Sequence, residues 1–262
     1  MTEHVEIRKD LPSGSIIINR PKQRNALTPR SVNELQSAFY DLHGEKNVRG
    51  VILTGAGDCF CSGTDLFHLH EQMQCPNPES FWQEEVPDLL ALIDSMLRFP
   101  KPIIAAVNGP VRGIGLALML ACDYIIATDQ STFALPEVKR GLMPGFAAPL
   151  LTRRCKTGFS NRFIMTGTSI DAETALSEGV IDERITADLV WARAQQLVTE
   201  FISAAPTSLQ LTRQLVNETI SEAVFTQLSI GAANTAAARS TEQARLGVGA
   251  FVEKTTLSWQ DA

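Results

Sequence analysis

At 262 residues the chain has the length of one large α/β domain, or of a domain with a small appendage, and its 44% hydrophobic content suits a real core. A net charge of −6 argues against a nucleic-acid or anionic-membrane partner, and no stretch approaches the roughly 20 apolar residues of a membrane span. The opening MTEHVEIRKD has no apolar leader segment, and five cysteines without a disulfide rhythm fit reduced thiols, so a cytoplasmic protein is expected.

In chain order, residues 15–18 (SIII) read as a buried strand, followed by a polar loop over residues 19–25 (NRPKQRN). Thr28 is placed to cap a helix with Pro29 in its first turn. Val32, Leu35, Phe39 and Leu42 mark its apolar face, and Gly44 marks its stop. Residues 51–54 form the next strand, and the chain turns again at residues 60–65 (FCSGTD). Residues 66–80, with Pro76 and Pro78, are expected to be irregular. A helix is expected over residues 84–98, with Pro87 an alternative start. Residues 103–107 and 125–127 read as strands. Residues 116–122 between them form a helix with no polar face, which must be buried. Asp171 and Gly179 frame a short helix. After about residue 186 only helices are expected, over 192–203, 208–230 and 241–253. Strands first and helices last suggest a βα core with a helical tail.

Several site types fail on spacing. The turn at Gly113 and Gly115 follows a strand, but Leu118 occupies the third glycine position of a dinucleotide fingerprint. Neither a P-loop nor a G-x-S-x-G nucleophile elbow is present. His68 and His70 have no third metal ligand in view, and Cys59-x-Cys61 has no second pair, so no metal is expected. What remains is two glycine turns, at Gly63 and at Gly113/Gly115, and one glutamate. Both turns follow strands and precede helices. Facing one cavity, they would present two backbone N–H groups to an oxyanion. On spacing alone, Glu137 between Pro136 and Val138-Lys139-Arg140 reads as a surface glutamate paired with a cation.

These segments together resemble the crotonase (enoyl-CoA hydratase/isomerase) family almost end to end. INRPKQRNAL resembles the loop that meets the nucleotide end of coenzyme A. VILTGAGDCFCSGTDL resembles the turn with the first oxyanion N–H, which falls on Ser62. KPIIAAVNGPVRGIGLALMLACDYIIA resembles the segment with the second, on Ile114. FALPEVKRGLMPG resembles the segment with a catalytic glutamate, on Glu137, and AFVEK resembles the C-terminal helix. The resemblance implies an α/β spiral of repeated ββα units over residues 1–200, carrying the CoA-ester site. A helical region over 201–262 would mediate homotrimers or hexamers. It implies an acyl-CoA substrate whose coenzyme A is no cofactor of the protein. Lys22, Arg24 and the backbone near Ala26 would meet the nucleotide end. Gly63, Thr64, Asp65 and Leu66 would lie along the ligand, and Phe251 and Lys254 would reach it, in one arrangement from a neighbouring subunit. Leu66, Phe67 and Trp82 are candidates for the acyl pocket, although core packing explains them equally well.

Three departures from the family carry functional information. Hydratases of the family have a second glutamate where this chain has Ala117. Some members place an aspartate where it has Gly145. Phe146-Ala147-Ala148-Pro149 replaces a more glycine-rich stretch. A single carboxylate suits a proton shuttle, so the resemblance implies 3,2-trans-enoyl-CoA isomerisation through a thioester enolate. The alternatives are a hydratase-like, lyase or hydrolase reaction on an unusual acyl-CoA, and a non-catalytic acyl-CoA-binding paralogue.

Overall fold

The computed structural model describes residues 3–220 and 222–259. The chain begins with strands β1 (Val5–Asp10) and β2 (Ser13–Ile18), helix α1 (Pro29–Gly44) and strand β3 (Gly50–Gly55), then helices α2 (Leu66–Met73) and α3 (Glu79–Leu97). Strands β4 (Ile103–Val107) and β5 (Val111–Arg112) lead into helix α4 (Ile114–Leu120). Strands β6 (Tyr124–Thr128) and β7 (Thr132–Ala134) lead into a 3₁₀ turn over Pro136–Arg140. Helices α5 (Ala147–Arg154) and α6 (Thr157–Thr166), strand β8 (Ile170–Asp171), helix α7 (Ala172–Ser177) and strand β9 (Glu183–Ile185) follow. Helices α8 (Val190–Phe201), α9 (Pro206–Gln214), α10 (Ala223–Arg239) and α11 (Glu242–Glu253) complete it.

The strands form two sheets. The larger has the order β1-β2-β3-β4-β6-β9, with β1 antiparallel to β2 and every other pairing parallel. The smaller has the order β5-β7-β8. After each of β4 and β6 the chain crosses to a short strand of the small sheet before turning helical, which gives a ββα spiral. Parallel strands covered on both faces need apolar residues at every position. Leu53, Ala105 and Ile125 sit in register and feed the main core, while Ile52, Ile104 and Ile126 face Ala194 and Val198 of α8. All seven residues of α4 are buried, as its lack of a polar face requires. Val224, Leu228, Ala232, Ala244 and Val248 of the last two helices belong to the same buried cluster as the main core.

Three expectations are corrected. Residues 66–80 are not irregular, because the Asp65 side chain caps α2 by accepting from His68 N–H at 3.3 Å while Leu69 and Met73 are buried one turn apart. Helix α3 starts at Glu79 and runs through Pro87, which lies on its exposed side. The single helix expected over 208–230 is interrupted by a wide turn of π-helix over Leu215–Ile220. That turn carries Asn217, which donates to the Leu97 carbonyl. The buried Arg213 just before it donates to the carbonyls of Met96 and Leu97 and pairs with Asp123 at 2.7 Å. Among the described residues, no helix is long and apolar enough to cross a membrane.

Candidate active site

A cleft opens between α4, the 3₁₀ turn and the last turns of α10. Its lining includes Thr64, Gly113, Ile114, Glu137, Leu142, Phe146, Thr235 and Arg239. Two glycines bring its backbone walls together. Gly63 has φ +92° and Gly113 has φ +55°, both in the region that favours glycine. A β-carbon on Gly63 would lie 2.9 Å from the Arg112 carbonyl oxygen and 3.5 Å from the Gly113 Cα, so the two turns lie against each other.

The turn at Gly63 decides which N–H faces the cleft. Leu27 N–H donates to the Gly63 carbonyl at 2.8 Å, and Asp65 N–H donates to the Leu27 carbonyl at 2.9 Å. Thr64 N–H, between them, has no partner among the described residues. Ser62 N–H, the expected donor, is instead spent on the Arg24 carbonyl at 3.0 Å, and Ser62 does not line the cleft. The geometry therefore moves this expectation two residues along the chain, to Thr64. Ile114 is the first residue of α4, where a helix leaves its N–H groups without intrahelical acceptors. Its N–H is likewise unpaired among the described residues, and Ile114 lines the cleft.

Glu137 sits in the first turn of the 3₁₀ segment, with its carbonyl accepting from Leu142 N–H at 3.0 Å. The surface ion pair suggested by spacing is not formed. Arg140 instead stacks its guanidinium over the Phe251 ring at 4.7 Å. The residue as a whole is half-buried, but its Oε2 is closed off and has no hydrogen-bond partner. The other oxygen, Oε1, is 2.8 Å from where a β-carbon on Gly113 would stand. Burial raises the carboxyl from 4.5 to about 7, against smaller lowering effects from its own backbone and from Arg140. A carboxylate with that value is poised as a general base near neutrality.

The remaining expected residues are distributed around this cleft. Lys22 and Arg24 are exposed on a loop held by Asn25, whose amide donates to the carbonyls of Ala56 and Cys59 at 2.9 and 2.6 Å. Ala26 is buried, and its carbonyl accepts from Arg20 at 2.5 Å. Asp65 has internal partners on both oxygens, Arg20 at 3.0 Å and His68 N–H, so it braces the loop and does not face a ligand. Leu66 packs on the core and Trp82 is buried, and neither lines the cleft. Phe67 is exposed and meets the Phe251 ring edge-on at 6.3 Å. Phe251 thus lies beside this chain's own α2 and 3₁₀ turn, and the exposed Lys254 ends α11. Sequence reasoning missed Arg239 and Thr235. The one legible signal was an arginine ending an otherwise uncharged helix.

Gly145 leaves no room for an acid. A β-carbon there would collide with the Gly231 carbonyl and the Thr235 hydroxyl of α10. Gly145→Asp is therefore expected to destabilise the fold by about 3 kcal/mol or more, read as a lowered thermal midpoint. An aspartate variant as stable as the parent would show that α10 does not press on this loop.

Residues 14–262 match the family described as enoyl-CoA hydratase/isomerase. The chain is 30% identical over 246 residues to the 2,3-dehydroadipyl-CoA hydratase of Escherichia coli K12, covering 92% of each protein. It is 29% identical over 254 residues to the short-chain-enoyl-CoA hydratase of Clostridium acetobutylicum, covering 96% of this chain and 95% of that one. The crystal structure of an enoyl-CoA hydratase from Mycobacterium avium aligns with a TM-score of 0.85 at 27% identity, covering 99% of this chain and 100% of that one.

Proposed function

Since the chain belongs to the enoyl-CoA hydratase/isomerase family and has the crotonase fold, we propose that it is a 3,2-trans-enoyl-CoA isomerase in which Glu137 alone carries the proton. The observation behind this reading is that Glu137 lines the same compartment as the unpaired N–H groups of Thr64 and Ile114, with no other carboxylate among the described residues lining that compartment. The thioester oxygen sits between those two donors. Glu137 removes a proton from C2, and the electron pair moves onto the thioester oxygen as an extended enolate. The double bond shifts into conjugation as the same carboxyl returns the proton at C4. Each oxyanion donor is worth roughly 3 kcal/mol of barrier in comparable sites. Binding of the remote coenzyme A portion fixes the acyl group for both proton transfers.

Ala117 supports a single-base reaction. It is fully buried on α4, one turn along the same helix face from Ile114, and offers no second carboxylate to activate water. Hydration is the second reading, favoured by the names of the relatives above. The test is an ultraviolet assay with 3-hexenoyl-CoA, set against hydration of crotonyl-CoA. Isomerisation at a far higher rate than hydration supports the proposal, and the reverse order overturns it.

The pH profile follows from the raised carboxyl. Only the ionised form accepts the C2 proton, so kcat/KM is expected to rise with pH and level off above an apparent pKa of about 7. A profile flat from pH 5 upward would mean that the free enzyme's base has an ordinary carboxylate pKa, and the burial argument would fail.

A further inference from the structure

The turn that carries Glu137 is held by the last helix of the chain, and the two meet backbone to backbone. A β-carbon on Gly247, inside α11, would run into the Arg140 carbonyl at the end of the 3₁₀ turn. A β-carbon on Gly141, just after that turn, would run into the backbone of Gln243 in the first turn of α11. Gly141 has φ +66°, in the region that favours glycine. The same stretch is tied to the C-terminal segment by side chains. The Arg140 guanidinium lies over the Phe251 ring at 4.7 Å, and Trp259 Nε1–H donates to the Lys139 carbonyl at 3.2 Å.

Glycine inside a helix is destabilising relative to alanine, so one that admits another backbone marks a contact the fold depends on. Helix α11 also holds a contrasting position. Gly249 is buried as well, but a β-carbon there would lie 3.7 Å from His70 Cε1 of α2, an ordinary contact distance. Helix α2 begins directly after the Thr64 turn, and its Phe67 meets Phe251 edge-on. Helix α11 therefore rests on both elements of the site, the helix after the Thr64 N–H and the turn bearing the carboxylate. The path from Gly247 to that carboxylate is short. Gly141 N–H and Leu142 N–H both donate to the Glu137 carbonyl, so a displacement at Arg140 and Gly141 is passed to the Glu137 backbone.

We propose that Gly247 is a positioning residue for Glu137: the close approach it allows fixes how far the 3₁₀ turn extends the carboxylate toward the N–H groups of Thr64 and Ile114. Gly247 does not line the cleft and acts through the Arg140 backbone. The inference rests on Glu137 being the proton-transfer base, and holds whether the reaction is isomerisation or hydration.

The test is steady-state kinetics of the whole protein, with whichever of 3-hexenoyl-CoA and crotonyl-CoA it turns over faster, beside calorimetry of hexanoyl-CoA binding. Gly247→Ala is expected to lower kcat about tenfold while the affinity for hexanoyl-CoA stays within about twofold. Pushing the turn off α11 opens the packing that closes Glu137 Oε2 from water, so the limb of the kcat/KM profile should move acidward from about 7. Gly249→Ala, which adds the same methyl group to the same helix, is expected to keep the parental kcat and profile. Trp259→Phe removes one hold on the turn without adding bulk. It should shift kcat and the limb in the same directions by less, and it decides the matter if Gly247→Ala does not fold. A parental kcat and an unmoved limb in the variant that decides overturn the proposal. An equal loss in Gly249→Ala, or a lowered kcat with an unmoved limb, also overturns it, because α11 would then be only a general support of the fold. A Glu137→Gln variant with parental activity would instead remove the base reading itself, and this inference with it.

Discussion

Glu137→Gln is expected to lower turnover of a 3-enoyl-CoA thioester by about 10³-fold or more, with the affinity for a CoA ester nearly unchanged. Glutamine has the shape of the protonated acid and fills the same space beside Gly113, but it cannot take a proton from C2. The stability of the variant separates lost chemistry from lost structure. The Glu137 carboxyl is raised from 4.5 to about 7 by burial, so the folded chain holds a proton that the unfolded chain releases. Its favourable contribution is complete below pH 4.5 and is lost as pH rises through about 7. The glutamine variant has no such loss. It should therefore be more stable than the parent by about 1–3 kcal/mol above neutrality, and equal to it in acid. Denaturant unfolding at two pH values measures this. A variant that is inactive and less stable at every pH would mean that Glu137 is a structural residue.

Gly113→Ala should cost about 10²-fold in kcat without touching the proton-transfer group directly. At φ +55° a side chain is strained, and the new β-carbon would stand 2.8 Å from Glu137 Oε1. Either the carboxylate moves away from the substrate or the backbone shifts and takes Ile114 N–H with it. Both routes misplace a reacting group by a fraction of an ångström to an ångström. The pH profile distinguishes them, since a displaced carboxylate reaching solvent would lose its raised pKa and move the limb acidward. Activity equal to the parent would contradict the close approach of these two residues.

Much of the scaffold was legible because β4 is apolar at every position and its neighbours β3 and β6 nearly so. Residues 103–107 match β4, and Thr28 and Asp171 cap the helices expected of them. Helix α2 was hidden because eight residues hold barely two turns and prolines follow closely. The break after Gln214 was hidden because buried Arg213 and Asn217 look like surface residues until Asp123 and the end of α3 are placed beside them. The site was legible in part. The glycine turns and Glu137 stand out in the sequence, but the rotation at Gly63 does not, and that rotation gives the free N–H to Thr64 and not to Ser62. The environment of Glu137 was illegible for a similar reason. Its neighbour Arg140 reads as an ion-pair partner until Phe251, more than a hundred residues away, is found beneath it.

The most direct measurement follows the proton itself. A 3-enoyl-CoA labelled with deuterium at C2 would be converted in ordinary water and the product examined by mass spectrometry and NMR. With Oε2 of Glu137 closed off from solvent, part of the label should reappear at C4 of a 2-enoyl product of unchanged composition. A product carrying an added water, or one in which solvent hydrogen has replaced the label completely, would contradict a single buried base that carries one proton between two carbons.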